Sequence, residues 1–352
     1  MRLSEKLRGR IRDGIVIPAM PLALAEDRSF DRRSQRAIVR YYIDSGAGGI
    51  AAAVHSTQFE IREPEFALLE PVLREVAETS RAWPGGDEIL LVAGICGNGD
   101  QAENEAKLAR DLGYHAGLVS LSALRAASNA DLIRHCKRIA AVLPIFGFYL
   151  QPAVGGRVLD YAFWREFADI DNVVGVKMAP FNRYQTLDVI RAIGDAGRLD
   201  DVALYTGNDD TILVDLLTDF HLAGAAGEIR ARITGGLLGH WSVWTKRTVE
   251  LFERVKRVQS GAEPLTGELL TLAAQTTDAN SAFFDAAHAY KGVIPGIHEV
   301  LRSQGLLSGT WCLRPDECLS PGQLEEIDRV RRGYPQLCDD GFVAANLARW
   351  RS

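Results

Sequence analysis

The sequence predicts a (β/α)8 TIM barrel, an α/β fold, carrying a C-terminal helical appendage. Two observations lead there. Eight apolar runs recur between Gly14 and Ile229, continuous rather than alternating, as parallel strands covered on both faces require. Amphipathic stretches separate them, and roughly 250 residues is the usual length of eight closed strand–helix units.

The strands are read in order. "GIVIPAM" (Gly14–Met20) is followed by "GGIAAAV" (Gly48–Val54), "ILLVAGI" (Ile89–Ile95) and "AGLVSL" (Ala116–Leu121). "LPIFGFYL" (Leu143–Leu150), "VVGVKM" (Val173–Met178), "VALYTG" (Val202–Gly207) and "AGAAGEI" (Ala223–Ile229) complete the eight. The intervening "SFDRRSQRAIVRYYIDSG" and "NGDQAENEAKLARDLG" have helical periodicity. The second starts near Asn98 or Asp100, suitable N-caps, and stops at Gly113, a suitable C′ residue. After Arg230 the pattern is wholly helical: about Arg232–Gln259, then Leu265–Tyr290, then shorter segments to Trp350. Residues 1–259 are therefore assigned to the barrel and 260–352 to a C-terminal helical region. Beyond the strand–helix alternation there is no repeat and no low-complexity tract.

Composition narrows the function. The 352 residues are 47% hydrophobic and 24% charged, with net charge −6. No basic block stands out, which argues against nucleic acid as a partner. No apolar run approaches the ~18 residues of a membrane span, and "MRLSEKLRGRIRDG" lacks a signal-peptide core. Five cysteines without a CxxC pair read as reduced thiols of a cytoplasmic protein.

Several motifs fall away. The glycines of "GAGGIAAAV" follow a helix and open a strand, the reverse of a dinucleotide fingerprint. The seven histidines show no metal-ligand spacing, and no GxSxG elbow occurs. No metal and no cofactor is expected. His55 alone among the histidines follows a strand, where barrel sites are built, so it can line a pocket or serve structure.

Lys177, in "VVGVKMAP", is an ammonium inside an apolar run. A lysine at a strand end can snorkel to solvent. Near the carboxyl end of the sixth strand it can instead enter the top of the barrel. Desolvation there lowers its pKa and frees a neutral amine to form an imine. Tyr149 ends the neighbouring fifth strand and offers a proton carrier.

These residues resemble the dihydrodipicolinate synthase / N-acetylneuraminate lyase superfamily of class I aldolases. "FYLQPAVGG" is similar to its Y-N-x-P-x-x-x-G motif through Tyr149, Pro152 and Gly156, and "GVKMAP" to its G-[IV]-K motif through Lys177. The tyrosine-to-lysine spacing agrees too. "HSTQF" stands where the family has G-T-T-G-E, "YTGNDD" at its G-x-D segment, and "YKGVIPGIHEVLRSQGLL" looks like its late helix. The dihydrodipicolinate synthase branch itself is not matched: its carboxylate-binding arginine is Val154 here, and "SALRAAS", with Leu124, replaces its relay-tyrosine loop.

The resemblance implies a lyase without a cofactor beyond the covalent Schiff base on Lys177. Its substrate is a 2-oxo acid, pyruvate or a 2-keto-3-deoxy sugar acid, joined in the addition direction by an aldehyde. Ser56 and Thr57 would hold the carboxylate, Tyr149 would pass protons with Ser56 as relay, and His55, Gly207, Asp209, Asp210 and Arg230 would contact substrate. Asp209 and Asp210 can equally cap the following helix, and Arg230 can pair with Glu228. A homo-oligomer, tetramer or dimer, is implied. A keto-deoxy sugar acid dehydratase using the same imine, and a non-catalytic metabolite-binding barrel, remain the alternatives.

Overall fold

The computed structural model describes residues 1–352. Helix α1 (Glu5–Asp13) precedes β1 (Val16–Pro18), and the alternation continues through α2 (Arg32–Ser45), β2 (Gly49–Ala52), α3 (Leu69–Ala82) and β3 (Leu90–Ile95). Next come α4 (Gly99–Asp111), β4 (Ala116–Val119), α5 (Asn129–Val142), β5 (Ile145–Leu150) and α6 (Tyr161–Ala168). Then follow β6 (Val173–Ala179), α7 (Arg183–Asp195), β7 (Ala203–Thr206) and α8 (Ile212–Leu217). A hairpin, β8 (Asp219–Ala223) and β9 (Glu228–Arg232), precedes the last strand, β10 (Gly235–Leu238). Five helices complete the chain: α9 (Thr245–Gln259), α10 (Gly267–Phe283), α11 (Val293–Ser303), α12 (Gln323–Gly333) and α13 (Asp340–Trp350).

Eight strands form one sheet in the order β1, β10, β7, β6, β5, β4, β3, β2. A parallel bridge between Ala19 and Ala51, backed by the Met20 N–H donating to the Ala51 carbonyl at 2.8 Å, joins the two ends of that order. The fold is thus a (β/α)8 barrel followed by helices, as the sequence predicts. Its residues fall into two compact units, Met1–Ile15 with Leu90–Leu237, and Val16–Ile89 with Leu238–Ser352. No helix is long and apolar enough to cross a membrane.

The strand interiors are buried throughout, which accounts for their unbroken apolar character. Helix α4 starts after Asn98, and Gly113 stands beyond its end at φ +87°, a backbone state that suits glycine.

The eighth strand is a correction. "AGAAGEI" does not join the barrel; its ends belong to the antiparallel hairpin, in which Ala223 faces Glu228 and Leu222 faces Ile229. In β9, Glu228, Arg230 and Arg232 are exposed while Ile229 and Ala231 are buried, the alternation of a ribbon wet on one face. The barrel strand is instead "GGLL", and the helix expected from Arg232 begins only at Thr245. Glycine at 235 is dictated by packing, since a Cβ there would lie 2.8 Å from the Tyr205 ring.

Gly14 closes the turn between α1 and β1 at φ +86°, and a Cβ on it would fall 1.7 Å from the Thr234 carbonyl oxygen. Both the backbone state and the space exclude a side chain. Gly14→Ala is expected to cost at least about 3 kcal/mol in chemical denaturation. An unchanged midpoint would show that this approach is not maintained.

Candidate active site

Lys177 lies on β6, opposite Phe148 of β5 and Tyr205 of β7. Side chains alternate along a strand, so three glycines reveal which face each residue takes. A Cβ on Gly147 would lie 2.8 Å from the rings of Trp164 and Phe167, so position 147 faces helix α6. A Cβ on Gly175 would instead meet the Phe146 ring at 2.5 Å. One on Gly207 would meet Lys177 Cε at 2.6 Å and Ala179 Cβ at 2.9 Å. Phe146, Phe148, Lys177 and Ala179 therefore face the barrel interior, and Gly147 and Tyr149 face the helix layer.

Lys177 is 7% exposed, and its Nζ sits 4.6 Å from the centroid of the Phe148 ring. Burial pushes its pKa from the ordinary 10.5 down to about 8, with the Asp209 carboxylate pulling partway back. At neutral pH an appreciable fraction of the amine is neutral, the state a nucleophile needs. Gly207, expected to touch substrate, is the space into which the Lys177 side chain fits.

Tyr149, expected to pass protons, lies against the helix layer. Its ring packs on Trp164 of α6, centroids 5.6 Å apart, and its hydroxyl accepts the Leu159 N–H at 3.2 Å. Burial pushes the hydroxyl pKa up. It is one residue out of phase with Lys177, and the residue opposite the amine, Phe148, has no proton to give.

Asp209 and Asp210 follow β7 and do not cap α8, whose N-cap is Thr211. Asp209 is buried, and burial raises the Asp210 pKa. The preceding Asn208 turns the other way. Its amide nitrogen donates to Thr186 Oγ1 at 3.1 Å and Asp215 Oδ2 at 3.0 Å, while its oxygen accepts the Phe181 N–H at 3.1 Å. Asp215, wholly buried, also accepts from Thr206 Oγ1 at 2.7 Å and pairs with Arg183. Thr211 Oγ1 adds a fourth donor at 3.4 Å, so both carboxylate oxygens are hydrogen-bonded, as a buried charge needs. The network fixes the loop that presents Asp209. Composition and spacing gave no sign of it.

Arg230, expected near a distal carboxylate, stands on the β9 ribbon with its side chain 71% exposed and Nε donating to Glu228 at 2.8 Å. It pairs with Glu228 and stands on the ribbon, apart from the ends of the barrel strands.

In the other unit, His55, Ser56 and Thr57 form one 3-10 turn after β2. Ser56 Oγ donates to the Ala19 carbonyl at 2.8 Å, and Thr57 Oγ1 to the Met20 carbonyl at 2.6 Å. These hydroxyls brace the turn against the end of β1. His55 meets the Phe59 ring edge-on, centroids 5.8 Å apart. Gln58, buried and at φ 66°, ends the turn, and its Oε1 accepts the Leu313 N–H at 2.6 Å. Arg314 pairs with Glu63 and Glu65, and Arg28 Nε donates to the Cys312 carbonyl at 3.0 Å. The C-terminal region thereby straps the turn, a connection without any sequence signal.

A closed (β/α)8 barrel with a desolvated amine near the carboxyl end of its sixth strand is the class that fold and geometry define. The chain belongs to the dihydrodipicolinate synthetase family, whose model matches residues 13–235; the family is one of lyases of the class I aldolase type. The 4-hydroxy-tetrahydrodipicolinate synthase of Persephonella marina is 24% identical over 190 residues, 52% of this chain, which spans 60% of that curated relative's length. Dihydrodipicolinate synthase from Oceanobacillus iheyensis superposes with a TM-score of 0.73 at 18% identity, covering 94% of this chain and 98% of its own. N-acetylneuraminate lyase from Fusobacterium nucleatum, complexed with pyruvate, gives 0.71 at 17% identity, covering 93% and 99%. At these identities the structural likeness is one of fold.

The lowered Lys177 pKa has a consequence for stability. The unfolded chain holds the proton up to about pH 10.5 and the folded one only to about pH 8, so stability rises with pH across that window and the full cost is present below it. Lys177→Met is expected to exceed wild type at pH 7 by up to about 3 kcal/mol and to lose the rise between pH 8 and 10.5. Equal slopes in urea titrations of the two proteins would show that the amine is not desolvated. In the second unit, Gln58→Ala is expected to cost about 1–3 kcal/mol by leaving the buried Leu313 N–H unpaired. A midpoint equal to wild type would mean the strap carries no load.

Proposed function

We propose that the chain is a lyase acting on a 2-oxo acid, pyruvate or a 2-keto-3-deoxy sugar acid, through an imine on Lys177, in aldol cleavage or addition. The carrying observation is a single amine held inside the barrel, with burial keeping its pKa near 8. The neutral amine attacks the ketone carbon, and the carbinolamine loses water. The protonated imine then withdraws electrons from C3. Either the C3–C4 bond breaks, releasing an aldehyde, or a C3 proton leaves and the enamine adds one. The imine is itself the electron sink, so the reading calls for no further cofactor. Phe148 lines the amine with an apolar face, which favours its neutral form while still tolerating a cation over the ring.

Family membership supports the lyase class, and with it a homo-oligomer, dimer or tetramer, acting on small molecules in the cytoplasm. Size-exclusion chromatography with light scattering reads the assembly directly.

Borohydride reduction in the presence of pyruvate, followed by peptide mass spectrometry, tests the chemistry. A reduced adduct on the peptide bearing Lys177 is expected, with none in Lys177→Ala. Screening 2-oxo acids and sugar acids for reduction-trappable adducts then selects the substrate. If no 2-oxo acid leaves an adduct on Lys177, the imine reading is overturned.

A further inference from the structure

We infer that Arg125 receives a second carboxylate of the substrate, at the end remote from the ketone, and that Arg157 holds Arg125 in position. The inference rests on the proposal that Lys177 forms an imine with a 2-oxo acid, and narrows that acid to a sugar acid bearing a second carboxylate.

The two arginines stand on loops at the carboxyl ends of neighbouring strands, Arg125 after β4 and Arg157 after β5. Arg157 ties the loops together. Its Nη1 donates to the carbonyls of Leu124 at 2.5 Å and Ala127 at 3.1 Å, on either side of Arg125. Arg125 reaches back across: a Cβ on Gly155 would lie 3.8 Å from its Nη2. The guanidinium therefore rests against the β5 loop, next to Val154.

Neither charge is answered by an acid. Asp131 and Asp160, the acids nearest to them along the chain, are already engaged. Asp131 pairs with Arg134 at 2.7 Å. Asp160 accepts from Asn129 Nδ2 at 2.9 Å and from the Phe163 N–H at 2.8 Å. No carboxylate pairs with Arg125 or Arg157, and the Arg157 Nε is buried without a partner. In a chain of net charge −6, two unneutralised guanidinium groups on adjoining loops draw in an anion. The exposed, planar fork of Arg125 matches a carboxylate.

The backbone joins this place to the amine. A Cβ on Gly207 would meet Lys177 Cε at 2.6 Å and Ala179 Cβ at 2.9 Å, so the lysine side chain runs up β6 toward Ala179. Ala179 is in register with Leu150, the last residue of β5. The β5 loop folds back on that residue. The Gly156 N–H donates to the Gln151 carbonyl at 3.0 Å, and a Cβ on Gly156 would fall 1.9 Å from the Leu150 carbonyl oxygen. Arg125 thus rests on the loop covering the end of β5, and β5 is about 5 Å from the strand that carries the amine. A substrate bound to Lys177 through its ketone carbon can place a far carboxylate there with a chain of about six carbons. Pyruvate has no group to send.

A merely structural role for Arg125 would weaken reaction with every 2-oxo acid alike, whereas a carboxylate-binding role confines the loss to dicarboxylates. The experiment therefore reads a ratio. Limiting 2-oxoadipate and 2-oxohexanoate, in which a methyl group replaces the far carboxylate, are presented together in equal amounts and reduced with borohydride. Mass spectrometry of the Lys177 peptide then compares the two adducts. Wild type, Arg125→Gln, Arg125→Lys and Arg157→Gln are tested, with pyruvate as the control acid.

Wild type is expected to favour the dicarboxylate at least about tenfold at low salt, and less as salt screens the exposed arginine. The ratio should fall to within about twofold of unity in Arg125→Gln and decline in Arg157→Gln. Arg125→Lys, which keeps the charge without the fork, should recover part of it. Pyruvate adduct formation should stay within about threefold of wild type in all three. Equal adducts in wild type overturn the inference, and that result needs no variant to fold. So does an undiminished preference in Arg125→Gln. If neither acid nor pyruvate leaves an adduct, the imine reading falls, and titration calorimetry with the same two acids decides on Arg125 by the same ratio.

Discussion

Holding one ammonium group inside an apolar barrel is the constraint around which this half of the molecule is built. Moving a lysine head group out of water costs several kcal/mol unless charge and shape compensate. The chain compensates incompletely. A carboxylate at Asp209 recovers part of the proton affinity, Phe148 supplies a polarisable face, and Gly207 yields the volume the methylenes occupy. The residual deficit appears as a pKa near 8 instead of 10.5. A fully compensated lysine would be a structural ion pair with its proton locked on, and an uncompensated one would drive the strand out of the sheet. The intermediate state is the one in which a proton can leave at neutral pH.

The carboxylate depends on residues that never touch the amine. Asp215 is the wholly buried hub of a network spanning β7, α7 and α8, and Arg183 neutralises it from a partly exposed position. A charge buried that deeply is tolerated only when its acceptors are filled. Filling them fixes Asn208, and through it the direction in which the chain leaves β7. Apolar packing sets the strand, while the polar network sets the loop.

Much of this was legible in the sequence, and the failures have physical causes. Seven strands were visible because parallel barrel strands are covered on both faces, which forces long apolar runs. The eighth was not: β10 carries Gly235 because Tyr205 from the next strand fills its place, so it lacks the side chains that would announce it. The run "AGAAGEI" looked like a strand by composition, yet its β9 neighbours alternate exposed and buried. Lys177 was recognisable because an ammonium in an apolar run is anomalous. The orientation of Tyr149 was not legible, because motif spacing fixes distance along the chain and says nothing of parity. Gly147 held the clue, since a glycine two residues before the tyrosine marks the face crowded by Trp164 and Phe167.

The strap on the turn after β2 was beyond reach for another reason. Gln58 and Leu313 are 255 residues apart in sequence, and a single polar contact has no periodicity to detect. Its energetics are nonetheless readable from the backbone. A non-glycine residue at φ 66° and ψ 120° costs of order 1–3 kcal/mol, and glycine would avoid that cost. Glycine, however, has no side-chain amide to receive the Leu313 N–H. The chain accepts backbone strain at Gln58 to gain a bond that a glycine turn cannot make, and Arg314, paired with Glu63 and Glu65, secures the same segment beside it. The conformation of the His55–Thr57 turn therefore depends on residues far beyond the end of the barrel, and the C-terminal region is part of what shapes it.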